Sequence, residues 1–389
     1  MISNSITPTE LGERLRIARE SLGITQANAA DVIKVARTTL VAIEKGQRKV
    51  RLEELELLAK LYQTSINALV RKHAVHIDLV PRFRKTNEGT EIAALNAANY
   101  LSNLVKAEVE LETLLGITKH KNYPPERPIL SGNILLQAET NALELRQWLG
   151  LGFSPIKNIL AILEMDLGIR VYVRDLDPKI SGLFTFDEKI GACILINAKH
   201  RYDRRTFSAA HELGHFISTR NAPEILIDTN QASREENYAN AFARCFLTPS
   251  RLVTQKFQEI TTGSSTLTRT HVISLAYELG VSREATVRRL EELELVRAGT
   301  WDWFSNNGGI TDEQAKQVLG ELYNAPYSRE TSRPTSLRMN LLIAEVSRKN
   351  LLSEGQLARL LHIDRIELRE ILDALNNDGD ELDDAPKLS

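Results

Sequence analysis

A chain of 389 residues, 42% hydrophobic and 26% charged, is too long for one ordinary domain and holds enough apolar material for two or three packed ones. Its formal net charge of −2 excludes a global pull toward nucleic acid or membrane, so any basic surface must be local. Two cysteines, Cys193 and Cys245, exclude a disulfide framework and point to a reducing compartment. No apolar run reaches the roughly 18 residues of a membrane span. The opening MISNSITPTELGERL lacks the apolar stretch of a signal peptide, so the expected location is cytoplasmic, with no membrane partner.

Residues 1–75 read as a run of short helices carrying 12 Lys+Arg against 8 Asp+Glu, a local positive excess. Leu11, Leu15, Ile17 and Ala18 form a helical stripe, Gly23 breaks it, and Thr25 caps the next helix. A turn through Lys34-Val35-Ala36 leads into Arg37–Glu44, and Leu52, Leu55, Leu58, Ala59 and Leu61 mark a later helix. Leu40 and Ile43 should pack inward, leaving Arg37, Thr38, Val41 and Ala42 exposed. Short polar and Arg side chains on such a helix suit a major groove, and Gln26, Lys45, Arg48 and Lys49 suit phosphates. The alternative is a module that docks a protein partner instead of DNA.

Residues 76–130 are expected to form a helical connector after a linker at Pro81, Asn87 and Gly89. Ala94, Leu95, Ala98, Leu101, Leu104 and Val105 recur at near-heptad spacing, which suits a connecting helix or a homodimer seam. KNYPPERP (121–128) is a boundary. From 131 to 300 the texture is mixed. Helices are expected at Ala142–Gly150 and Ile156–Met165. Strand-like runs follow at Ile169–Val173, Gly182–Phe186 and Ala192–Ile196, then helices at Ser208–Ser218 and Glu235–Leu247. A linker is expected around Trp301, Trp303 and Asn306–Gly309. Residues 301–389 form a helical C-terminal domain ending in an acidic tail. Val272–Leu295 and Leu352–Leu375 also scan weakly as helix-turn-helix pairs.

The sharpest chemical signal is His211-Glu212-Leu213-Gly214-His215. Residues four apart share one helix face, so two imidazoles can meet one tetrahedral ion. Glu212, on the adjoining edge, can serve as general base toward a water without binding the metal. Chance matches to this pattern number on the order of 0.01 in such a chain. Two histidines need a third ligand, and Ser233–Ala243 offers one. Glu236 is the choice, with Asn240 one turn on expected to hold its hydrogen bonds. Glu235 is the alternative, 100° away around the helix. His200, Tyr202 and Arg205 are candidates for oxyanion stabilisation. Cys193 could act as a thiolate latch on the metal, although alternation with Ile194 and Ile196 favours plain burial; Cys245 reads as core.

His211–His215 followed by Glu236-Asn237-Tyr238-Ala239-Asn240-Ala241-Phe242-Ala243 resembles the ImmA/IrrE family of gluzincin-type metallopeptidases, over about 140–296. Ile180-Ser181-Gly182, Arg205-Thr206-Phe207 and Leu247-Thr248-Pro249 also fit that pattern. The N-terminal segment resembles the XRE/Cro-repressor family over about 10–70, with Ala29 where Leu is usual and Lys34 where the turn often has Gly. The resemblance implies a multidomain, mainly α protein with a small β-sheet. Its parts are a five-helix helix-turn-helix domain, a gluzincin-like α+β zinc peptidase domain and a C-terminal helical domain.

It further implies one Zn2+ per chain, a partner transcriptional repressor encoded nearby as protein substrate, and a role in stress, mobile-element or antiviral responses. The other reading is a DNA-binding regulator or antitoxin whose zincin-like domain is sensory or structural.

Overall fold

In a computed structural model, residues 6–62, 64, 66–70, 91–220, 224–227, 233–264, 266–323 and 336–373 are described. The linker expected at Pro81, Asn87 and Gly89 and the acidic tail lie outside them. Among the described residues, no helix is long and apolar enough to cross a membrane.

Among the described residues the N-terminal unit has five helices, α1 (Pro8–Ser21), α2 (Gln26–Val32), α3 (Arg37–Glu44), α4 (Leu52–Leu61) and α5 (Ile66–Val70). Leu15, Ala30, Leu40, Ile43 and Leu58 form its core. Thr7 and Thr25 cap α1 and α2 through their hydroxyls, which satisfies backbone donors that helix starts leave open. Arg19 and Glu44, both buried, pair at 2.6 Å and tie α1 to the end of α3. Between α2 and α3 the chain turns at Lys34, whose φ is 54°. The turn thus demands the left-handed region where Gly is usual, and lysine adopts it.

The long α6 (Glu91–Leu115) carries the near-heptad stripe, but that stripe is used within the chain. Ala94, Ala98, Leu101, Leu104 and Val105 pack in one cluster with the sheet and with Met339, Ile343, Leu357 and Leu361. Next come α7 (Ile134–Trp148) and the short α8 (Ile159–Ala161), which runs on as a π turn over Ile162–Asp166. The helix expected over Ile156–Met165 is therefore shorter. Asn158 accepts from the Ala161 amide at 3.0 Å, and this cap starts the helix only after Pro155. Helix α7 begins earlier than expected because Asn133 caps it.

Three strands fall where alternation puts them: β1 (Arg170–Arg174), β2 (Ile180–Asp187) and β3 (Gly191–Asn197). A fourth, β4 (Glu224–Ile227), was not expected. The order is β1-β3-β2-β4, with β1 parallel to β3 and the other pairs antiparallel. Strand alternation divides the sheet's two faces. Phe184, Ile194 and Ile196 join the core beneath α9 (Tyr202–Ser218) and α10 (Arg234–Leu247). Leu183, Cys193, Leu195 and Tyr172 face α6 and the C-terminal helices.

Beyond α10 lie α11 (Ser250–Thr261), α12 (Arg269–Leu279), α13 (Arg283–Glu292), α14 (Thr300–Asn306) and α15 (Asp312–Leu319), then a 3-10 turn at Gly320–Tyr323. The linker expected at Trp301 and Trp303 is α14. Phe304 is buried in a cluster with Val272, Ile273, Val287 and Ala315, and that burial holds the segment helical; the turn is confined to Asn307 and Gly308. The last described elements are α16 (Leu337–Arg348), α17 (Glu354–Leu361) and a helical stretch at 365–373.

Candidate metal centre and helix-turn-helix surface

The centre rests on two helices that touch along their length. The face of α9 that bears His211 and His215 meets α10, and the contact is close because Gly214 has no side chain. A methyl group there would lie 3.0 Å from the Ala239 Cα and 3.3 Å from its Cβ. This closeness brings Glu236, in the first turn of α10, to the imidazoles. His211 Nε2 lies 3.4 Å and His215 Nε2 3.3 Å from the Glu236 carboxylate, and the two Nε2 atoms are 3.0 Å apart. A tetrahedral ion with bonds of about 2.0–2.1 Å needs donors roughly 3.3–3.4 Å apart. The donor set and its spacing therefore fit a zinc-like ion held by His211, His215 and Glu236. Glu235, one residue earlier, is exposed, so the carboxylate beside the histidines is that of Glu236.

Both protonation and orientation suit ligation. Burial pushes the His215 pKa down, and the opposing pull of the Glu236 carboxylate does not restore it, so the imidazole is neutral. Burial works against the Glu236 carboxylate, but the neighbouring imidazoles of His211 and His215 outweigh it and hold the group well below the ordinary carboxylate range. Asn240 does not serve Glu236 as expected. Its Oδ1 lies 3.0 Å from His211 Nδ1. An amide oxygen can only accept, so Nδ1 carries the proton and Nε2 presents its lone pair. The i, i+4 relation to Glu236 suggested the wrong partner, because the crossing of α9 over α10 decides which side chain Asn240 meets.

Glu212 is fully buried beside this cluster. Its room comes from β2, where a methyl group on Gly182 would sit 2.9 Å from Glu212 Oε1. The neighbouring Ser181 hydroxyl accepts from Arg204 at 3.1 Å. Arg204, two helical turns before His211 and on its face, had not been singled out.

The expected oxyanion candidates sit elsewhere. Tyr202 and Arg205 precede His211 by nine and six residues, roughly 14 and 9 Å along the helix. The Tyr202 hydroxyl donates to the Lys157 carbonyl, and His200 Nε2 lies 3.3 Å from the Pro178 carbonyl. The latch at Cys193 is also overturned. Its thiol is buried on the opposite face of the sheet from α9, and burial pushes it up to about 12, far from a thiolate. Cys245 is core, as expected.

On the N-terminal unit, Arg37, Thr38, Lys45 and Lys49 are exposed, whereas Val41 and Ala42 are half-buried. The chain after α3 folds back on Ala42, whose carbonyl accepts from the Gln47 and Arg48 amides. Gln26 donates to Glu44 at 3.0 Å and accepts from Arg37. Arg48 is taken up in a two-point pair with Glu54 at 2.7 and 2.9 Å.

A buried pair of helical histidines completed by a glutamate from the next helix, under a small mixed sheet, defines a zincin-like domain. Comparison with known families agrees. Residues 164–291 match the IrrE N-terminal-like domain and residues 10–71 a helix-turn-helix domain. The chain thus joins a helix-turn-helix domain to a metallopeptidase-like domain of the ImmA/IrrE kind. No curated protein matches the chain.

Proposed function

We propose that the protein is a zinc-dependent, site-specific endopeptidase that cleaves a partner transcriptional repressor in the cytoplasm, in a stress, mobile-element or antiviral response, coupled to DNA by its N-terminal domain. The observation that carries this reading is the convergence of His211 Nε2, His215 Nε2 and Glu236 beside a buried Glu212. A purely structural zinc site has four protein ligands and no use for a base. Among the described residues three donors come together, and a carboxylate that is not one of them lies alongside.

His211, His215 and Glu236 would hold the ion, and Asn240 would fix the His211 tautomer. When bound, zinc supplies Lewis acidity, which makes a water nucleophilic near neutral pH and polarises a carbonyl. Glu212 accepts the proton of the attacking water and returns it to the departing amine. Its burial against β2 keeps bulk water from competing for that proton. The exposed Arg37 and Thr38 would read base edges, while Lys45 and Lys49 meet phosphates.

The test is incubation of the purified chain with the repressor encoded beside it, with and without single- and double-stranded DNA, reading fragments by mass. Wild type should cut at one position. Glu212→Gln should bind zinc equally and lose on the order of 10^2–10^4 in rate. If zinc binds but the repressor survives equally with both proteins, the peptidase reading fails. The chain would then be a DNA-binding regulator with a sensory or structural zincin-like domain.

A further inference from the structure

Away from the metal face, a cavity of about 340 Å3 opens where the start of α9 meets α12, α13 and α15, a volume within the range of small-molecule sites. Its apolar lining comes from Ile273, Ala276, Val281 and Leu319, and Tyr202, Tyr277 and Tyr323 contribute phenol rings. Charge is concentrated in one part of the wall. There stand Arg201 and Arg283, which share the carboxylate of Asp312 just outside the lining, and Asp203, 3.6 Å from Arg201. The cavity lining thus offers two guanidiniums and one carboxylate, Asp203, beside an apolar, aromatic pocket.

This balance selects the ligand. A simple anion would meet the guanidiniums but face Asp203, and a simple cation would meet Asp203 but face two guanidiniums. Either leaves a like charge close by. A zwitterion answers both signs. Its carboxylate shares the guanidinium donors with Asp312, which bonds Arg201 through Nη1 and so uses only part of its five, and its ammonium meets Asp203. The adjustment is cheap because the Arg201 and Asp312 side chains are 58% and 43% exposed, and pairs that open to water contribute little.

We propose that this cavity is a binding site for a zwitterion of amino-acid to dipeptide size bearing an aromatic or large apolar side chain. The charged end sits at Arg201, Arg283 and Asp203, and the side chain lies against Ala276, Leu319 and the tyrosine rings. The site needs neither the metal nor hydrolysis, so it stands independently of the peptidase reading.

The full-length protein is titrated calorimetrically with L-phenylalanine and with the dipeptide Phe-Leu, and in parallel with phenylacetate and phenethylamine, which each lack one charge. At least one zwitterion should bind with Kd below about 1 mM, at least about tenfold tighter than either singly charged analogue. Arg201→Glu, at the rim, should weaken binding by about tenfold or more, and Ala276→Trp, which fills the floor, should abolish it. Should Ala276→Trp fail to fold, Arg201→Glu decides alone. Because amino acids chelate zinc, His211→Gln is titrated too and should bind unchanged. The proposal is overturned by no saturable binding, by phenylacetate or phenethylamine binding as well as the zwitterions, by Arg201→Glu binding like wild type, or by binding lost in His211→Gln.

Discussion

At His211 the position of a proton is set from outside the metal face. The Asn240 oxygen sits at Nδ1 at 3.0 Å, so Nε2 is left to donate its lone pair. Substituting Asn240→Ala should therefore weaken zinc affinity by about 10–100-fold, as loss of such an outer partner typically does. Asn240→Asp, which still accepts, should keep it, and a chelator competition on both variants reads the difference. Equal affinities for the Ala variant and wild type would remove Asn240 from the site. The same reasoning applies to Arg48. Its guanidinium satisfies the Glu54 carboxylate, so among the basic residues of the N-terminal unit the exposed Lys45 and Lys49 are better placed to meet phosphate.

At the scale of elements, the metal centre depends on how closely α9 and α10 cross. Gly214 faces the backbone of Ala239 at a distance a methyl group can barely occupy. Gly214→Ala should push the helices apart by a few tenths of an ångström, and Gly214→Val further. Zinc affinity and Tm should fall together in that order; zinc affinity unchanged in the Val variant would show that the crossing does not position Glu236. The helix-turn-helix offers the opposite experiment. Lys34 adopts a φ of 54°, which costs an L-residue about 1 kcal/mol. Lys34→Gly should therefore raise amide protection in α2 and α3 of the full chain, and Lys34→Val should lower it. A Gly variant less protected than wild type would mean that the lysine side chain contributes more than its backbone costs.

Across the whole molecule, a buried charge cluster joins parts far apart in sequence. Glu108 and Glu112 of α6 meet Arg170 and Tyr172 of β1, and Arg338 of α16 reaches the same carboxylates. Lys119 lies 3.6 Å from Glu108. Burial works to raise the Glu108 carboxyl, but Arg170, Lys119, Tyr172 and Arg338 together hold it below the ordinary 4.5. A carboxylate lowered in the folded state adds stability above its unfolded value, and that stability is lost as pH falls through the folded one. Tm should thus fall as the pH drops below about 4.5, and Glu108→Gln, with no proton to gain, should flatten that slope. Parallel slopes in the two proteins would sink the assignment.

Periodicity and spacing determine a good deal of this protein: two imidazoles on one helical face with Glu212 beside them, three of the four strands, and five short helices at the N-terminus. Those features follow from residues close in the chain, where helix and strand geometry leave little freedom. Tertiary structure alone decided that Glu236 and not Glu235 meets the histidines, that Asn240 serves His211, and that Cys193 lies on the sheet face away from them. It also decided that the α6 stripe packs within the chain and that Trp301 and Trp303 lie on a helix. Each of those outcomes depends on which element covers which face, and packing between distant segments sets that where local spacing cannot.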